Sequence, residues 1–315
     1  MTNQFSSTHF LNITENSEKQ RIDNFLRKTF KRLPFNLICK IIRTGQIRIN
    51  KKRINQNYKL KLGDSVRIPP ITIQSDSNKK IKLNTRLSII FNNMILYEDN
   101  YFLILNKPSG MSVHSGSGIN YGMIENLRIL RPYNRYLDLV HRLDRDTSGV
   151  LIIAKKRSIL RNLHEQLREK KIKKKYVALV HGVWPDILKS ISKPLLKTSS
   201  RKNKNIVKID PKGKESITHF NIKKKYTKNT LISITPITGR THQIRVHLLH
   251  LNYPIVLDAK YGIKKLDYFI KNKFNINRLL LHAESINFFH PKRKKNILIT
   301  APLDYVFKTV LKNLI

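Results

Sequence analysis

Residues 149 to 182, GVLIIAKKRSILRNLHEQLREKKIKKKYVALVHG, constrain the fold more than any other stretch of the chain. An apolar run of strand length comes first. It is followed by the clearest amphipathic helix in the sequence, at about residues 157 to 173, which leads directly into a second strand, KYVALVHG. That succession requires a sheet with a helix packed on it, and the surrounding segments decide the class. MILYEDNYFLILNKPSG reads as a hairpin turning at EDN, and SITHFNIKKKY and TLISITPITG read as further strands. Helices are expected at about residues 122 to 131, after Gly239 and at the C-terminus, with strands at about 279 to 288 and 296 to 300. Residues 186 to 216, rich in lysine, read as a surface excursion. Hairpins mixed with helices argue for an α+β domain and against a wound parallel sheet.

The beginning of the chain has a different grain. Residues 1 to 19 are polar and read as a flexible N-terminus. RIDNFLRKTF then places Ile22, Phe25 and Leu26 on one helical face, and PFNLICKIIRTG carries a second apolar face that stops at Gly45. QIRINKKRI and KLKLGDSVRIP follow as short strands around tight turns. This predicts a small module over residues 20 to 70, a polar linker over 71 to 86, and a larger domain over 87 to 315.

Charge narrows the function classes. With 62 Lys and Arg against 20 Asp and Glu, the formal charge is +42. A field of that sign and size selects a polyanionic partner, most simply a nucleic acid. Cys39 is the single cysteine, which excludes an intrachain disulfide and a multi-cysteine zinc site. There is no signal-peptide pattern and no apolar run approaching the ~18 residues that cross a bilayer, so a soluble cytoplasmic protein without a membrane partner is expected.

Against this basic background, HRLDRDTSG sets Asp144 and Asp146 among His141, Arg142 and Arg145. An exposed turn of mixed charge would account for the string, and spacing does not choose between that and a site. A carboxylate beside arginines is favoured in its ionised form, which suits nucleophilic attack or charge stabilisation better than proton donation. Composition leaves the choice between the two aspartates open. GRTHQIRVH, residues 239 to 247, is a second basic cluster; if its helix starts near Thr241, then Thr241 and Arg245 share a face and a distant aspartate can pair with Arg245. A solvated basic helix start is the alternative. His242, His247 and His250 lack the companions of a zinc site. NKPSGMSVHSGSG lacks the GxxxxGK[ST] spacing of a phosphate loop and reads as a flexible loop beside a groove. Tyr176 reads as a strand tyrosine in the core or, beside a nucleic acid, as a stacking platform.

Taken in order, HRLDRDTSGVLIIAKK, KKKYVALVHG, GRTHQIRVHL and LLLHAESINFFHP resemble the RluA family of pseudouridine synthases, and RIDNFLRKTF through LGDSVRIP resembles an S4 RNA-binding domain. The resemblance implies a small S4 (αL-like) domain and a catalytic domain with a mixed, largely antiparallel sheet flanked by helices. It implies an isomerase that breaks the N1–C1′ bond of uridine, turns the uracil and rejoins it through C5, with no cofactor and no metal. It implies that Asp144 is the catalytic aspartate, Tyr176 the active-site tyrosine, Arg245 the basic partner of Asp144, and Arg142 the residue that keeps the base out of its stack. His141, Arg240 and Thr241 are expected to bind substrate. The arrangement is most like the members that modify several uridines of 23S rRNA, so 23S rRNA or a large-subunit assembly intermediate is the expected partner, met by a monomer. A non-catalytic RNA-binding assembly protein and a sibling synthase with other rRNA sites are the alternatives. In IVLDAKYG, Leu257 stands where the family usually shows glycine, which implies an unusual turn beside the core.

Overall fold

In a computed structural model the described residues are 7–14, 17–30, 33, 35–70, 85–115, 121–134, 136–198 and 206–314. The expected linker lies almost wholly outside them. The chain divides into two compact units, Met1–Lys82 and Leu83–Ile315.

The first unit contains β1 (His9–Asn12), α1 (Ile22–Thr29), α2 (Phe35–Arg43), β2 (Arg48–Ile49), β3 (Lys52–Arg53) and β4 (Ser65–Ile68). Its antiparallel sheet has the order β1-β4-β2-β3. Helical spacing puts Ile22 and Leu26 of α1 and Ile38, Ile41 and Ile42 of α2 into one core with Ile49, Val66 and Ile68. Asp64 holds the turn into β4 by accepting from Asn50 Nδ2 at 2.9 Å, Lys61 N at 2.9 Å and Tyr58 Oη at 3.1 Å. Residues 9–12, part of the stretch read as a flexible start, form β1 against β4. Four residues with alternating half-burial are too short a pattern to stand out in sequence.

The second unit runs through α3 (Thr85–Asn93), β5 (Ile95–Glu98), β6 (Phe102–Lys107), α4 (Met123–Leu130), β7 (Asp138–Leu139), β8 (Ser148–Ala154), α5 (Arg157–Arg168) and β9 (Lys173–His181). It continues with β10 (Ser190–Ser192), β11 (Leu195–Thr198), β12 (Ile206–Ile209), β13 (Ile217–Lys225), β14 (Asn229–Pro236), α6 (Gln243–His250), α7 (Lys264–Phe274), β15 (Leu281–His290), β16 (Lys295–Thr300) and α8 (Tyr305–Asn313). The main sheet has the order β10-β13-β14-β9-β15-β8-β6-β5, with β16 on β15 and β7 on β8. Among the described residues its pairings are antiparallel except for β15 with β8, which gives the mixed α+β architecture.

Strand β8 is buried along its whole length. Leu151 and Ile153 pack towards Met123, Ile124 and Leu127 of α4, while Val150 and Ile152 pack towards Ile159 and Leu163 of α5. Both faces are covered, which is why GVLIIA shows no polar alternation; each such side chain contributes about 1.5–3 kcal/mol through burial. Gly149 begins this run at φ +111°, where an added Cβ would lie 2.2 Å from the carbonyl oxygen of Ala283 on β15. The parallel pairing therefore depends on a residue without a side chain.

Two further expectations are corrected. Helix α6 starts at Gln243, because His242 before it is left-handed at φ 54° and ψ 16°, so Thr241 and Arg245 do not share a helical face. The lysine-rich excursion contains β10 at the edge of the main sheet and the antiparallel pair of β11 and β12.

Candidate active site

The loop between β7 and β8 carries Asp144. Leu143 anchors it in the core at 6% exposure, and Thr147 N–H closes a turn on the carbonyl of Asp144 at 3.2 Å. At the end of β6, buried Lys107 donates from Nζ to the carbonyls of Pro108, Met111 and Arg145, each at 2.9 Å. Ser109 Oγ donates to the carbonyl of Asp146 at 2.6 Å, and Arg145 Nε donates to the carbonyl of Gly110 at 3.0 Å. The NKPSG segment, read from sequence as a flexible loop, is thus a clamp on the HRLDRDTSG loop over residues 107–111. Burial pushes the Lys107 ammonium down to about 7, opposed by the charges of Asp146 and Asp144. All three of its protons have carbonyl acceptors, the arrangement an ammonium needs away from water.

Arg245 reaches the same loop from α6. It is 5% exposed and donates twice to Asp258, from Nε at 2.8 Å and from Nη2 at 2.7 Å. Its remaining nitrogen, Nη1, donates to Asp144 Oδ2 at 3.2 Å. Burial disfavours the guanidinium charge, but Asp258 and Asp144 outweigh it and raise its basicity. Burial acts on Asp258 in the opposite sense, and it too is outweighed: the hydrogen bonds and charge of Arg245, with the N–H groups of Tyr261 and Lys260, hold the carboxyl below its usual range. The two-toothed ion pair fixes Arg245 before Asp144 is met. Asp258 follows Leu257, which stands at φ 60° and donates its N–H to Asp267 Oδ1 at 2.7 Å. The residue standing in place of the family glycine therefore holds the backbone conformation that glycine favours.

A cleft of about 310 Å³ opens over these groups, lined by Arg142, Asp144, Asp146, His242, Arg245, Lys260 and the Ser112–His114 segment, among others. Of the residues singled out in sequence, Asp144, Arg142 and Arg245 meet here. Tyr176 on β9 lies close enough to Asp144 for that charge to add to burial in pushing its hydroxyl up. His141 faces elsewhere: its Nε2 accepts the N–H of Ile152 at 3.2 Å, consistent with burial pushing the ring down to about 3. Arg240 is exposed, with Nε on the carbonyl of Glu215 at 3.2 Å, and Thr241 is half-buried outside the cleft lining. Asp258 and Tyr261 are the members that sequence reasoning missed, and His242, weighed there as a zinc ligand, lines the cleft beside Asp144 instead. The D and Y of IVLDAKYG were in view, but their partners lie on another element. A larger groove of about 660 Å³ is lined by Glu165, Gln166, Glu169 and Phe289, away from Asp144. Among the described residues no three His, Cys, Asp or Glu side chains are grouped to hold a metal ion, and no helix is long and apolar enough to cross a membrane.

Comparisons with known proteins give the family. The family described as RNA pseudouridylate synthase matches residues 101–250, and the S4 domain matches residues 20–66. A protein of Buchnera aphidicola subsp. Acyrthosiphon pisum named "Ribosomal large subunit pseudouridine synthase C" is 56% identical, with 100% of both chains covered. Proteins of the same name are 50% identical in Haemophilus influenzae, over 98% of this chain and 96% of that one, and 46% identical in Escherichia coli strain K12, over 100% and 99%. Among solved structures, human RNA Pseudouridylate Synthase Domain Containing 4 shares the fold, with a TM-score of 0.60 at 24% identity over 72% of this chain and 95% of that one.

Proposed function

Because the chain belongs to the RNA pseudouridylate synthase family, we propose that it isomerises uridines of large-subunit 23S rRNA to pseudouridine, with Asp144 as the catalytic carboxylate. The observation that carries this reading is the convergence of Arg245, itself locked by Asp258, on Asp144 within a clamped loop. The reaction breaks N1–C1′ and forms C5–C1′; the C5 hydrogen leaves as a proton and N1 ends protonated. A carboxylate has two ways to start it, by bonding to C1′ or by removing the hydrogen of C2′. Either way the oxygen must be held close to one productive position, about 3–3.5 Å from its target, and a rigid buried guanidinium serves that need.

The target base must first leave its stack, which costs a few kcal/mol. In this reading Arg142, which lines the cleft, and Tyr176 beside Asp144 receive it, and His141, Arg240 and Thr241 are the further candidates for substrate binding. The S4 unit supplies cationic contacts to phosphates, the main source of affinity that does not depend on sequence. In this reading the chain works as a monomer in the cytoplasm, without metal or cofactor.

The test is to incubate a 23S rRNA transcript with the protein, treat it with carbodiimide and map the stops of reverse transcription. New stops at discrete uridines are expected. RNA that is bound but gains no stops would favour the assembly-protein reading, and stops at a different set of uridines from the relatives would favour a sibling synthase.

A further inference from the structure

The steps above use Arg245 on Asp144 but not the second group that converges on the same oxygen. His242 Nε2 lies 3.8 Å from Asp144 Oδ2, with 14% of the His242 side chain exposed. At that distance the contact is electrostatic and not a hydrogen bond. The residue holds a left-handed backbone at φ 54°, uncommon outside glycine, in the turn that delivers α6. Its other nitrogen, Nδ1, is 2.7 Å from Tyr261 Oη. That oxygen already accepts the N–H of Val207 at 3.0 Å, and the Tyr261 ring lies under the Arg245 guanidinium with 5.0 Å to its centre.

Two physical arguments place the ring's hydrogen. The Tyr261 phenol has a proton to donate, and Nδ1 is its acceptor among the described residues. An Nε2 lone pair 3.8 Å from a carboxylate oxygen would be repelled by it, whereas Nε2–H is attracted. The first leaves Nδ1 without a hydrogen and the second puts one on Nε2, and together they give the neutral ring protonated on Nε2. Among the described residues Asp144 Oδ1 has no hydrogen-bond partner, while Oδ2 faces both Arg245 and His242.

We propose that His242 is a positioning residue which, with its Nε2–H set by Tyr261, holds Oδ2 of Asp144 together with Arg245 and leaves Oδ1 to meet the nucleotide. This rests on Asp144 being the catalytic carboxylate. The ring does not touch the reacting atoms; it acts through Asp144.

Two substitutions separate this role from a merely structural one. The amide nitrogen of Gln reaches the place of Nε2, whereas Asn reaches only the place of Nδ1 and adopts left-handed backbone more readily. A residue needed only for the turn and for Tyr261 would be replaced well by Asn and badly by Gln. The expected order is the reverse. In single-turnover release of tritium from C5-labelled uridine RNA, His242→Gln stays within about 3-fold of wild type while His242→Asn falls by on the order of 10-fold, with RNA affinity unchanged in both. The wild-type protein labelled with 15N-histidine provides a second readout that needs no variant to fold: Nδ1 carries the signature of an unprotonated nitrogen and Nε2 that of N–H. Retention of rate by Asn with loss by Gln, or a hydrogen on Nδ1, overturns the proposal. Absence of tritium release from the wild type would instead overturn the pseudouridine reading, and the nitrogen signature would still decide the tautomer.

Discussion

Arg245 spends two of its nitrogens on Asp258 and one on Asp144, so its rigidity depends on a residue that is buried and does not line the cleft. Replacing Asp258 by Ala leaves a buried guanidinium half unpaired, and the expected loss of stability is about 3–5 kcal/mol. Denaturant unfolding checks it. Because the folded-state pKa of Asp258 is depressed, its contribution is present above the unfolded carboxyl's titration and is lost as pH falls through the folded value. The stability gap between wild type and Asp258→Asn should therefore narrow on acidification below the normal carboxylate range. At Leu257 two effects compete: glycine would relieve a left-handed strain of about 1–2 kcal/mol, but it would forfeit burial of about 1.5–3 kcal/mol and add unfolded-state entropy of about 0.5–1 kcal/mol. Burial and entropy win together, so Leu257→Gly should lower the unfolding midpoint despite matching the family residue. At this scale the sequence was most legible where a residue sits in a contiguous motif, as Asp144 and Arg245 do. Asp258 escaped because its bond to Arg245 joins two separate strings, and His242, weighed there as a zinc ligand, because its neighbours Asp144 and Tyr261 come from other segments.

Among the elements, the Lys107 clamp is the one most exposed to a single change. Lys107→Met keeps the apolar stem but leaves the carbonyls of Pro108 and Met111 without a donor, that of Arg145 keeping the N–H of Gly110 at 3.0 Å, which costs about 1–3 kcal/mol for each group that cannot rehydrate. A drop of several kcal/mol in denaturant unfolding is expected, with activity falling as the Asp144 loop loosens; an unchanged unfolding midpoint would refute the clamp. Strand β8 and helix α5 were readable because burial on both faces, or on one stripe, leaves its period in the sequence. Helix α7 was not, since Ile270 is its one fully buried residue and no apolar stripe marks it. The start of α6 was misplaced by two residues because left-handed His242 follows no glycine-like signal.

For the molecule as a whole, the charge of +42 and the S4 unit make RNA affinity a matter of phosphate contacts. Deleting residues 1–70 should weaken rRNA binding and flatten its dependence on salt, while the second unit, with its own cores, stays folded. Binding titrations across a salt series check this, and an unchanged slope would contradict it. The fold class was legible because hairpins and amphipathic helices alternate along the chain; the pairing of β15 with β8 was not, because parallel partners far apart in sequence leave no local trace. The most direct measurement is the release of hydrogen from C5. Large-subunit 23S rRNA transcribed with tritium at uridine C5 is given to wild type and to Asp144→Asn, matched for folding and RNA binding. Release by the wild type with none above background from Asp144→Asn is the expected result, and release by Asp144→Asn at the wild-type rate would contradict the role of that carboxylate.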